Sequence, residues 1–170
     1  MNAPAARIDP QTGELIVCWC NLQPPYLTWS SVRADGNGTQ PTPVEGVGRP
    51  TRIRDMALTE HYIVLLTQPS AEPDSDTRIA LVPRNGGPVR WCEDAVWRIG
   101  HIAAAYELDD PAAGGPVVID YVGRRQPHSL IGDPQPGRGR LQRALIDPAA
   151  GTLRGTTRAP GCALIGEVGT

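Results

Sequence analysis

The chain has 170 residues and a net charge of −2, which suits one domain with a core of its own and gives no electrostatic case for nucleic acid or an acidic membrane surface. All 16 basic residues are Arg and Phe is absent, so Leu, Val, Ile, Trp and Tyr supply the core. Nineteen Gly and 18 Pro, with short apolar runs between them, read as tight turns joining short strands.

No apolar run approaches the ~20 residues of a membrane helix, so no transmembrane segment is expected. The N-terminus shows no basic segment followed by an apolar one, so no signal peptide is expected, and the default location is cytoplasmic. The cysteines are Cys18, Cys20, Cys92 and Cys162. Cys18 and Cys20 lie two apart and share one face of a strand, a spacing too short for the usual zinc pairs. They read as buried free thiols in a reducing compartment.

In chain order, the expected strands are Leu15–Cys20, Leu27–Val32, Tyr62–Thr67, Ile79–Val82, Val117–Val122 and Leu141–Ile146. Most are apolar on both faces. Leu15, Val17 and Trp19 would line one side of the first, and Ile16, Cys18 and Cys20 the other. Such strands suit a sheet packed between other sheets. Asp35-Gly36-Asn37-Gly38 and Asn85-Gly86-Gly87 supply turn residues that tolerate positive φ. Around Ala103-Ala104-Ala105, local propensity favours a short helix. Gly114-Gly115 and Pro134–Gly139 read as surface loops, and Arg124, Arg125, Arg138, Arg140 and Arg143 as solvated surface.

One turn signature occurs twice. Ile8-Asp9-Pro10-Gln11-Thr12-Gly13-Glu14-Leu15 and Ile146-Asp147-Pro148-Ala149-Ala150-Gly151-Thr152-Leu153 agree at five of eight positions. The recurrence suggests a repeated structural unit, as in a β-propeller built of four-stranded blades. At roughly 40–50 residues per blade, the chain holds about three to four of them.

Further motifs fall in a fixed order. Ile8–Leu15 is followed by Pro24-Pro25-Tyr26-Leu27, then by Arg49-Pro50-Thr51-Arg52-Ile53-Arg54-Asp55-Met56-Ala57-Leu58-Thr59-Glu60-His61-Tyr62. Next come Thr77-Arg78-Ile79-Ala80-Leu81-Val82-Pro83-Arg84, Trp91, and His101-Ile102-Ala103-Ala104-Ala105-Tyr106-Glu107. This series resembles the carotenoid oxygenase family from about Ala5 to about Arg154. The resemblance implies an all-β fold, a partial version of a seven-bladed β-propeller, with residues 1–170 as a single partial domain and a strand at Ile102–Leu108 in place of the helix.

The resemblance also implies chemistry. In the family, four histidines from different blades hold Fe(II) on the propeller axis, supported by glutamates. The iron and O2 cleave a conjugated double bond of carotenoids, apocarotenoids or some stilbenes, and one branch isomerises retinyl esters. Carried over residue by residue, the first histidine falls on Ala5, the second on Arg54 and the third on His101, with the nearby Asn on Ala104. The fourth belongs to a region beyond this sequence. His101 is thus the metal-ligand position retained, and an Arg54 guanidinium aimed at the axis would oppose a dication. His61 is expected to be structural, His128 to sit in a solvent-facing loop, and Glu107, Asp109 and Asp110 to form a solvated acidic loop.

The function expected is that of a carotenoid-cleaving dioxygenase from which this chain is an inactive fragment. The alternative is a pseudoenzyme remnant or a β-rich module that binds an apolar isoprenoid. The partner expected is an apolar, carotenoid- or apocarotenoid-like small molecule, with no nucleic acid. Three or four blades cannot close a ring, so open sheet faces and edges would drive self-association or take up a partner chain.

Overall fold

The computed structural model describes residues 4–71, 77–93, 97–108, 115–125, 140–149 and 152–158. These residues form twelve strands and no helix. β1 (Ala5–Ile8), β2 (Leu15–Cys20), β3 (Leu27–Val32) and β4 (Thr42–Pro43) make the first sheet, paired antiparallel in chain order. The second holds β5 (Thr51–Leu58), β6 (Tyr62–Pro69), β7 (Arg78–Pro83) and β8 (Arg90–Glu93). The third holds β9 (Trp97–Glu107), β10 (Val117–Arg125), β11 (Arg140–Asp147) and β12 (Thr152–Arg158). Each is a four-stranded antiparallel meander, the unit of a propeller blade.

The six strands expected from the sequence are β2, β3, β6, β7, β10 and β11, most of them longer than expected. The other six carry less apolar signal: Arg52, Arg54 and Asp55 interrupt β5, and β1 is largely exposed. The Ala-rich stretch at 103–105 lies inside β9. Pairing with β10 over Val117–Arg125 overrides its helix propensity.

The blades stack face to face through two cores. Ile16, Cys18, Leu27 and Val44 of blade 1 pack on Met56, Ile63, Leu65, Ala80 and Val82 of blade 2. Val64, Leu66, Ile79, Leu81 and Cys92 on the other side of blade 2 pack on Ile99, Val117, Ile119, Tyr121, Ala144 and Ile146 of blade 3. The strand period of two makes this possible: along β6, Ile63 and Leu65 face blade 1 while Val64 and Leu66 face blade 3, all fully buried. Each such side chain contributes about 1.5–3 kcal/mol.

The two copies of the Asp-Pro-x-x-Gly signature share an Asp side-chain bond to the N–H two residues on and the pairing of the flanking strands. Asp9 Oδ1 accepts the Gln11 N–H (2.8 Å) and Asp147 Oδ1 accepts the Ala149 N–H (3.0 Å). Ile8 pairs with Leu15, and Ile146 with Leu153. The first copy joins strands one and two of its blade, the second joins strands three and four of its own. The repeat therefore marks a turn and not the period of a blade.

Two turns are stapled across blades. The Arg84 guanidinium donates to the Thr59 and Glu60 carbonyls (3.1 and 3.2 Å) and pairs with Asp9, tying blade 2 to blade 1. Glu107 at the end of β9 accepts the Thr59 hydroxyl, the His61 N–H (2.8 Å) and His61 Nδ1–H (2.7 Å), tying blade 3 to the same turn.

Candidate functional site

The first strands of the blades, β1, β5 and β9, lie side by side along one edge of the stack. This inner edge carries the positions singled out in the sequence. Two of them sit at β-bulges. In β5, Ile53 pairs with Thr67 and Asp55 with Leu66, so Arg54 has no partner in β6. In β9, the pairs Ile99–Gly123, His101–Val122, Ile102–Tyr121 and Ala104–Asp120 leave Gly100 and Ala103 unpaired on either side of His101. Bulges re-aim side chains at sheet edges and beside active sites. Here they turn Asp55 and His101 toward each other.

Asp55 is the node of this edge. Its Oδ1 accepts Arg7 of β1 at 2.9 Å and the Met56 N–H at 2.8 Å. Its Oδ2 accepts the Ile102 N–H of β9 at 2.9 Å and lies 3.6 Å from His101 Nδ1. One carboxylate, 13% exposed, thus joins the inner strands of three blades. A carboxylate has about four lone-pair sites. Three N–H donors take three of them, and the fourth faces His101.

His101 itself is 78% exposed, and its imidazole touches the protein through Asp55. Ala5 supplies no donor atom and packs against the core between blades 1 and 2. Arg54 does not aim past the inner edge. Its guanidinium runs over β6 and donates to Gln68 Oε1 at 3.2 Å, an oxygen that also accepts Arg52 at 2.6 Å. The charge expected to oppose a metal on the axis is thus held by Gln68 on an exposed side chain. Ala104 is exposed and has no polar side chain to offer.

Glu107 corrects the expectation of a solvated acidic loop. Its side chain is 10% exposed and serves as the staple described above. Burial works to raise its carboxyl, but the Thr59 hydroxyl and the His61 N–H and imidazole outweigh that and leave it below the ordinary value. His61, as expected, has a structural role. His128, Asp109, Asp110 and Cys162 lie outside the described residues. Cys18, Cys20 and Cys92 form no disulfide. Burial pushes Cys18, helped by the neighbouring Cys20, up to about 12, with its Sγ 3.6 Å from Met56 Sδ, so this thiol is inert.

Comparison with known proteins decides the ancestry. The family model described as retinal pigment epithelial membrane protein matches residues 4–159. The chain belongs to the carotenoid oxygenase family. It is 28% identical over 123 residues to carotenoid 9,10(9',10')-cleavage dioxygenase 1 of Arabidopsis thaliana, covering 61% of this chain and 23% of that protein. It is 29% identical over 132 residues to the chromoplastic zeaxanthin 7,8(7',8')-cleavage dioxygenase of Crocus sativus, covering 66% of this chain and 35% of that one. Among solved structures, a point mutant of the Synechocystis apocarotenoid oxygenase superposes with a TM-score of 0.61 at 22% identity, over 90% of this chain and 38% of that one. The cobalt-substituted form of that enzyme gives 0.56 at 21% identity, over 89% and 37%. This carotenoid oxygenase chain thus spans less than two fifths of the length of these relatives.

The side chains at the inner edge do not fit the iron that the resemblance implies. The donor set there is the His101 imidazole and an Asp55 carboxylate already spent on three N–H donors. No group of three His, Cys, Asp or Glu able to hold a metal ion occurs among the described residues. One neutral nitrogen gives no chelation. Among the described residues, neither of two clefts is lined by His101. The cleft of about 340 Å³ against blade 2 is lined by Arg49, Thr51, Thr67, Arg78 and Trp91. That of about 280 Å³ beside the Asp9–Arg84 pair is lined by Glu14, Trp29 and Glu60 among others.

Asp55 is the site residue that sequence reasoning missed. It was visible only as the neighbour of Arg54. No periodicity announces a bulge that shifts register by one residue.

Proposed function

We propose that this chain is a single partial domain of a carotenoid-cleaving dioxygenase, its described residues making three blades, and that it does not cleave substrate by itself. The observation that carries the reading is the inner edge of β1, β5 and β9, where the chain keeps His101 and places Ala5 and Arg54 at the other two ligand positions of the resemblance. The substrate class of the parent activity is a carotenoid or apocarotenoid, as the names of the curated relatives suggest. The cofactor of that activity is Fe(II), and the described residues of the inner edge offer it one nitrogen, that of His101.

The partner in this reading is another β-sheet. The face of blade 3 turned away from blade 2 carries Tyr106, Val122, Leu141 and Leu145 around the Asp120–Arg143 ion pair (2.7 Å). Val122 is 39% and Tyr106 38% exposed. Such a face associates with a further sheet or with another copy of the chain. If no sheet covers it, an apolar isoprenoid is the second occupant, which makes the chain a binding module.

The test is direct. The chain is loaded anaerobically with Fe(II), given O2 and an apocarotenoid, and the products are separated by chromatography. No aldehyde or ketone product above the protein-free control is expected. Turnover that requires both iron and O2 would sink the reading.

A further inference from the structure

We infer that the Arg7–Asp55 ion pair, and not a divalent metal ion, clamps the inner strands of this chain, so that its fold is indifferent to metal. The inference rests on the functional reading above and concerns the same edge. In a site built around a metal, side chains from separate strands converge on the ion and the ion joins them. Here protein groups do the joining. Arg7 of β1 reaches Asp55 of β5 at 2.9 Å, and Asp55 reaches the Ile102 N–H of β9 at 2.9 Å. The positive charge that balances the Asp55 carboxylate is supplied by the Arg7 guanidinium.

The same geometry sets the edge against a cation. Arg7 and His101 approach opposite oxygens of one carboxylate, so a dication on the imidazole would sit close to a fixed positive charge. Asp55 has one lone pair left to offer it, the one facing His101, and could turn further only by giving up the part-buried, charge-assisted bond from Ile102, which is expensive to lose. Arg54, at another of the ligand positions, is bonded to Gln68 over β6, and among the described residues no group of three His, Cys, Asp or Glu able to hold a metal ion occurs.

The experiment is thermal unfolding of the full 170-residue chain in chelator and in excess Co(II), for the natural sequence, Asp55→Asn and Arg7→Gln. Co(II) is used because it does not oxidise in air. The natural chain is expected to melt at the same midpoint, within about 1 °C, in both solutions, and Asp55→Asn about 5 °C lower in both. A rise of several degrees with Co(II) would overturn the inference, as would an Asp55→Asn chain that melts like the natural one. If Asp55→Asn yields no folded protein, Arg7→Gln is read in its place and is expected to melt about 2 °C lower in both solutions; an unchanged midpoint then counts against the clamp. Cleavage of an apocarotenoid by a chain whose midpoint Co(II) leaves unmoved would sink the functional reading and leave the clamp standing.

Discussion

The Asp9 carboxylate and the Arg84 guanidinium form an ion pair that locks the β1–β2 turn of blade 1 onto the β7–β8 turn of blade 2. Both side chains are largely buried, 5% and 14% exposed, and Arg84 also satisfies two carbonyls of the β5–β6 turn. Removing one partner leaves the other charge buried without compensation. Arg84→Ala is expected to cost about 3–5 kcal/mol in urea unfolding. Arg84→Lys keeps the charge but loses the fork that spans Asp9 and the carbonyls, and is expected to recover only part of that.

The same turn predicts acid sensitivity. Burial tends to raise the Asp9 carboxyl, but the Gln11 N–H, the Arg84 guanidinium and the Thr12 hydroxyl hold it down at about 2, against an ordinary 3.8. Glu107 is likewise lowered from 4.5 by its bonds to Thr59 and His61, which overcome the effect of burial. A depressed acid contributes stability that is fully present above its unfolded value and is lost as pH falls through its folded value. Unfolding free energy is therefore expected to fall from about pH 4.5 down to about 2, measured by urea titration across that range. Asp9→Asn should flatten the profile below about 4; a profile as steep as that of the natural chain contradicts the assignment.

Gly46 is fixed by two constraints at once. Its φ is +81°, and a Cβ there would lie 2.5 Å from Trp91 Nε1, which donates to the Glu45 carbonyl at 2.9 Å. The Trp91 ring cannot easily yield, because the Arg78 guanidinium stacks on it at 4.3 Å. Gly46→Ala is expected to cost about 1–3 kcal/mol and to shift Trp fluorescence as the indole is displaced. Gly13→Ala, with a positive φ but open space around it, should cost less and leave the fluorescence unchanged.

Because blade 2 is buried on both faces, neighbouring residues in β6 should be equally sensitive. Leu65 packs toward blade 1 and Leu66 toward blade 3, and neither is exposed. Leu65→Ala and Leu66→Ala are each expected to cost about 2–5 kcal/mol by chemical unfolding. Leu22→Ala, at a position 79% exposed, should stay within about 0.5 kcal/mol of the natural chain.

What the sequence made legible was the strands with strong apolar character and the turns with Asp-Pro and Gly chemistry. β6 and β7 read as two-sided because Ile63 to Leu66 and Ile79 to Val82 leave no polar face. β5 did not read as a strand, because Arg52, Arg54 and Asp55 interrupt its pattern and their partners, Gln68, Arg7 and Ile102, are remote in sequence. His101 is singled out by motif order alone, and the strand that the resemblance implies for the segment after it is the one observed, against local helix propensity. The direction of Arg54 and the burial of Glu107 were not legible. The first depends on a bulge, the second on a neighbouring blade's turn at Thr59 and His61. Both are settled by contacts between strands that no local window contains.

The account turns on what the inner edge can hold, and metal stoichiometry measures that most directly. The purified chain is dialysed to equilibrium against Fe(II) without oxygen, and bound metal is counted per chain by elemental analysis. With one imidazole and a carboxylate already occupied by Arg7, Met56 and Ile102, bound iron should stay far below one per chain and be unchanged in His101→Ala. Iron near one equivalent per chain, lost on His101→Ala, would contradict the account.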